Sequence, residues 1–199
     1  SANPSYKVAS QAHGVIVEGF VNTINWSDLN ITNPWRGILV HNPYGLPYSQ
    51  GPKLIVGNDV KVDYPTVQAM ILNGVEEAFF DQSYFHGSIQ EDNIMLDAAC
   101  RQIKFSQSKI TGAAKANLFT DADDTELIGN DYAYANCANG GQASIIFGSN
   151  SQTGRVIGGC AKGGNQTHGM ANWNAGNGPN IVRVGTQHIM GVNGNESGF

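Results

Sequence analysis

Two aspartates, Asp97 and Asp121, are the residues in this chain whose type and spacing could do chemistry. Each directly follows a short apolar run, "IML" or "LFT". If the stretch between them is one turn of a repeating structure, their backbones lie on neighbouring turns, about 5 Å apart. Two carboxylates that close cannot both ionise freely, and one pKa is expected to rise. The result would be a general acid beside a base or nucleophile, the requirement for cleaving a glycosidic bond. Asp123 and Asp124 follow in "TDADDTE", Glu91 and Asp92 lie one turn earlier, and Arg101, Lys104 and Lys109 stand between. The plainer reading is that Asp closes strands because its side chain bonds to turn backbone.

Aromatic residues give the second set of candidates. Phe79, Phe80, Phe105, Phe119 and Phe147 sit in apolar alternation and read as core. Trp35, Tyr44, Tyr48, Tyr132, Tyr134 and Trp173 fall in loops or at strand edges. There a ring offers an apolar face to sugar C–H groups while neighbouring amides and hydroxyls take the sugar hydroxyls. Asp97 and Asp121 are expected to line one groove with Tyr132 or Tyr134 nearby. The expected substrate-binding residues are Tyr132, Tyr134, Trp173, Asp124 and Lys104. No His, Cys, Asp or Glu set has metal-ligand spacing and no glycine-rich loop leads into a helix, so neither a metal nor a cofactor is expected.

Composition narrows the partners. Only 14% of the 199 residues are charged, the net charge is −5, and there are 25 glycines. No basic patch exists, which argues against nucleic acid. No apolar stretch is long enough to span a membrane, and the first ten residues lack the apolar segment of a signal peptide. Cys100, Cys137 and Cys160 are odd in number and read as buried free thiols, in keeping with synthesis in a reducing compartment.

The elements that would position these residues are visible as a repeat. "VEEAFFDQSYFHG" at 75–87 returns as "CRQIKFSQSKITG" at 100–112, with Phe80 over Phe105, Ser83 over Ser108, Phe85 over Ile110 and Gly87 over Gly112. Extending the pattern gives Trp26, Val56, Phe80, Phe105, Ile128, Ile157 and Val184, 23–30 residues apart, each followed by Ser, Gly or Asp at a corner. A second column reads Leu72, Leu96, Thr120 and Phe147, with Met70, Ile94, Leu118 and Ile145 two residues earlier and Val40 with Ile38 at its start. Short alternating strands at this period, with no helical pattern, predict an all-β, right-handed parallel β-helix solenoid of about seven coils of 23–30 residues. A single domain over 1–199 is expected, with a lead-in at 1–14 and a Gly/Asn-rich loop at 163–180 between two coils.

The "FSQSKITG"-type coils, the Asn/Gly-rich corners and the low charge resemble the parallel β-helix of bacteriophage tailspikes and related tail fibres, over about residues 15–191. That resemblance implies a homotrimer of side-by-side β-helices that binds, and in many members depolymerises, bacterial surface polysaccharide. It implies a place in the virion after synthesis in the bacterial cytoplasm. Catalytic positions differ among members of the family, so none is transferred. Two alternatives stand beside it. One is a secreted pectate-lyase-like enzyme, which would need calcium on an Asp cluster and an Arg or Lys base. The other is a non-catalytic spacer in a virion or adhesin.

Overall fold

A computed structural model describes residues 12–41, 51–135, 143–162, 168–172, 180–185, 187–189 and 195–197. Every strand pairing in it is parallel, and the strands form sheets of eight, seven and seven members, each taking every third strand in chain order. The chain therefore passes through sheet I, sheet II and sheet III and returns to sheet I one level higher, which is a parallel β-solenoid. The first coil runs through His13–Glu18, Thr23–Ser27 and Asn30–Thr32, and the fourth through Ile94–Leu96, Arg101–Ser106 and Lys109–Thr111. Among the described residues there is no helix.

Sheet I carries the second column as expected. Val40, Leu72, Leu96, Thr120 and Phe147 are in register, as are Ile38, Met70, Ile94, Leu118 and Ile145, and all ten are buried. In sheet II the inward column is Trp26, Gly57, Phe80, Phe105, Leu127 and Val156. The expected column placed Val56, Ile128, Ile157 and Val184 there, and the structure moves each by one residue. Because side chains alternate with period two, that slip turns all four outward; Ile157 and Val184 are 37% and 56% exposed. Gly57 interrupts the column because a Cβ there would stand 2.5 Å from the Phe80 ring. Phe80 and Phe105 stack at 5.2 Å with planes 12° apart, and Phe85 meets both edge-on. Burying rings of this size stabilises the fold by roughly 2–3 kcal/mol each.

The corners repeat as strictly as the strands. Between sheets II and III each coil has a left-handed residue at the same place, Asp28, Asp59, Gln82, Gln107, Gly129, Gly158 and Gly185, and Gly159 adds a second on its coil. Just inside this corner, each polar side chain closes on the amide one coil away. Val60 N–H donates to Ser83 Oγ, Ser83 N–H to Ser108 Oγ, and Ser108 N–H to Asn130 Oδ1. At the corner between sheets III and I, buried Asn93 and Asn117 do the same work. Asn117 donates to Ala133 O and Ser144 Oγ and accepts from Ala113 N–H. The segment 163–180 is not wholly a loop. His168–Asn172 is a strand of sheet I paired with Ala143–Phe147, its Met170 beside Ile145. Gly and Asn hid the alternation.

Candidate functional site

Asp97 and Asp121 do stack at one corner, between sheets I and II, where Asp97 N–H bonds Leu72 O and Asp121 N–H bonds Leu96 O. Their carboxylates, however, serve different neighbours. Asp97 Oδ1 accepts from Gly74 N–H one coil below at 3.3 Å and from Ala99 N–H at 3.0 Å. Asp121 accepts from Asn150 N–H one coil above at 3.1 Å and from Asn150 Nδ2 at 3.3 Å. A Cβ on Gly148 would lie 2.0 Å from Asp121 Oδ1, so the carboxylate packs directly against this glycine. The two carboxylates reach to opposite coils, and their hydrogen bonds are those of corner caps.

Nor do the expected tyrosines line that corner. Tyr132 points into the core and is 1% exposed, its hydroxyl accepting from Asn130 Nδ2 at 3.0 Å, and burial pushes its pKa up. It is a core residue and cannot touch a substrate. The strand Asp131–Ala133 alternates inward at Tyr132, so the ring that the sequence placed at an edge is the one buried. Tyr134 is exposed, but at the corner between sheets III and I. Trp173 lies outside the described residues, as do Tyr44, Tyr48 and Cys137.

Asp124 and Lys104, by contrast, meet on the outer face of sheet II. One outward residue per coil forms a row along the solenoid: Val56, Phe79, Lys104, Glu126, Arg155 and Val182. Glu126 sits between two cations, Lys104 Nζ at 3.1 Å and Arg155 at 3.5 Å. Beside the row lie cavities of about 550 and 290 Å³. Both are lined by Gln102, Asp124 and Arg155, so they form one groove. Arg101, Asp123 and Thr153 complete its larger end, and Phe79 and Lys104 its smaller end. In a chain this poor in charge, three cations and three carboxylates converge here.

The backbone beneath the groove is strained. Arg101 pairs with Asp123 and Ile103 with Thr125, but the residues between, Gln102 and Asp124, have φ of +47° and +55°. Mid-strand, this conformation costs on the order of 1–3 kcal/mol for a residue with a side chain, and it re-aims the side chain as a bulge does. The next coil holds it in place: Thr153 Oγ1 accepts from Asp124 N–H at 3.0 Å and donates to Asp123 Oδ1 at 2.9 Å. Strain stacked on two adjacent coils, held by a third and opening into a cavity, makes this face the candidate site. Arg155 and Glu126 escaped the sequence reading because the one-residue slip set Lys104 against Leu127 and dissolved the row; Phe79, read there as core, instead points outward beside Lys104 and is 38% exposed. A set of three His, Cys, Asp or Glu side chains able to hold a metal does not occur among the described residues.

No family model matches this chain, and no curated protein matches it. Among solved structures, the A-module of the mannuronan C-5 epimerase AlgE4 from Azotobacter vinelandii aligns with 94% of this chain and 58% of its own, at 11% identity and a TM-score of 0.46. The chain thus spans little more than half the length of that module. At this identity and overlap the likeness bears on neither ligand nor reaction.

Proposed function

We propose that this chain is the receptor-binding β-helix of a bacteriophage tail protein of the tailspike type, and that the outer groove of sheet II holds a bacterial surface polysaccharide. The observation that carries the reading is the strained pair Gln102 and Asp124, placed side by side on the groove floor. The groove runs along the stack with one side chain every 4.8 Å or so, a period close to the length of a sugar residue. Charged donors and acceptors alternate along it for hydroxyls and acidic substituents, and Phe79, 38% exposed, offers a ring face. If the groove cuts as well as holds, Asp124 is the residue placed to exchange a proton. A homotrimer displayed on a virion is part of this proposal. The lyase alternative shares the face, with Arg101, Lys104 and Arg155 as basic candidates, but the described residues do not gather the Asp cluster it needs.

The test is binding of purified surface polysaccharides to the wild type, Asp124→Ala and Arg155→Ala, with product analysis of each mixture. Loss of about tenfold in affinity in both variants is expected, at roughly 1.4 kcal/mol for a decade. Binding that both variants retain, or no binding to any surface polysaccharide, would remove the groove from the account. Light scattering on the same protein decides the assembly, with a trimer expected for a tail protein.

A further inference from the structure

A separate cavity of about 420 Å³ opens where the chain leaves sheet III for sheet I, away from the outer face of sheet II. One residue per coil at this corner is left-handed: Asn33, Tyr64, Gly87, Gly112 and Tyr134, with φ between +51° and +79°. The ladder of corner hydrogen bonds puts them on consecutive coils: Tyr64 N–H to His86 O, Gly87 N–H to Thr111 O, and Gly112 N–H to Ala133 O. Tyr64 and Tyr134 thus stand three coils apart, about 14 Å, with two positions lacking a side chain between them. The result is a slot with tyrosine walls and a glycine floor.

Its rings are held in place. A Cβ on Gly87 would lie 2.8 Å from the Tyr64 ring, and one on Gly112 2.8 Å from the His86 ring, so each ring lies over a glycine. His86 Nδ1 is fixed to Thr111 Oγ1 at 2.8 Å, and its ring stacks on Tyr84 at 5.5 Å and meets Tyr64 edge-on at 5.1 Å. Tyr64 and Tyr134 are 51% and 58% exposed. Core packing therefore does not explain why two bulky residues occupy a backbone conformation that glycine fills on the coils between.

The lining also selects by chemistry. Among the described residues it contains no Asp, Glu, Lys or Arg, so an uncharged ligand fits it best. Phenol hydroxyls and an imidazole offer hydrogen bonds, while Ile89, 60% exposed, and Ala114 offer contacts for a methyl group. We propose that this cleft is a second saccharide site, independent of the groove on sheet II, taking a neutral sugar ring with a methyl-bearing substituent: an N-acetylhexosamine or a 6-deoxyhexose.

The experiment is saturation-transfer NMR on the full chain with N-acetylglucosamine and L-rhamnose as probes, and with glucuronate and phenol as comparisons. Transfer onto the acetamido or 6-deoxy methyl protons is expected. The informative variants are Tyr64→Gly and Tyr134→Gly, because glycine relieves the backbone strain and matches the neighbouring coils. They should hold or raise the melting temperature while weakening the methyl sugars about tenfold each, the scale of one lost ring contact. Glu18→Ala, on sheet I and outside both cavities, should leave this transfer unchanged. The proposal is overturned if neither methyl sugar receives transfer, if transfer survives both glycine variants, or if glucuronate or phenol binds as well as the methyl sugars.

Discussion

At the residue scale the clearest titratable feature is Asp92, whose pKa is raised to about 6. Desolvation is the main cause; the Ala116 N–H at 2.8 Å and nearby Lys115 pull the other way, and Glu91 adds to the rise. The folded carboxyl keeps its proton to about pH 6, whereas the unfolded one releases it near 3.8. Between those values the folded state binds more protons, so stability falls as pH rises through the window and stays lower above it. Asp92→Asn keeps an oxygen for Ala116 and removes the charge. It is expected to flatten that slope and to stabilise the protein near pH 7 by on the order of 2 kcal/mol, read from melting temperatures between pH 4 and 7. Cys100 is the second case. Buried beside Asp97, its thiol pKa is pushed up by desolvation first and by that carboxylate second. Alkylation of Cys100 should accordingly wait for unfolding, which a mass-spectrometric time course with and without denaturant will read.

At the element scale the ladders decide. Asn117 gives and receives bonds on two coils, so Asn117→Ala strands the Ala113 N–H inside the protein and takes a donor from Ser144 Oγ. It should cost about 2–4 kcal/mol in chemical denaturation, more than a surface Asn→Ala. The legibility of the fold divides along the same line. The sheet I columns were readable because Ile, Leu and Met alternate there without interruption, and Phe80, Ser83, Phe85 and Gly87 found their partners one coil on because both segments have the same length. Up to Phe105, sheet II was readable at Trp26, Phe80 and Phe105 but not at Val56, where the inward residue is Gly57. Beyond Phe105 the next coil is one residue shorter than the spacing read, so Phe105 meets Leu127, and an outward Ile128 is as apolar as the inward Leu127. The site suffered most from this. Asp124 and Lys104 were recognisable as polar candidates, but the row that joins Lys104 to Glu126 and Arg155 exists only in the correct register. Asp97 and Asp121 looked catalytic because carboxylates that cap corners and carboxylates that react have the same spacing in a solenoid.

At the scale of the whole molecule, each coil touches only the coil above and the coil below, so stability is close to a sum of neighbour terms. Hydrogen exchange should follow position along the stack. The amides of Ile94–Leu96, Leu118–Thr120 and Phe105, in the middle coils, are expected to be the slowest. Those of His13–Glu18 and Asn180–Val184 should exchange through opening of the end coils. Uniform protection from end to end would mean that the chain opens as one cooperative unit instead.

The outward row of sheet II has a consequence of its own in such a stack. Phe79, Lys104, Glu126, Arg155 and Val182 come from five successive coils, and nothing in the backbone ties the first of these coils directly to the last. A polymer lying along the row would do so, acting as a longitudinal suture on the outside of the spring. It would add the long-range links that a solenoid lacks, and pulling on the bound chain would load five coils in parallel rather than peel them away one at a time.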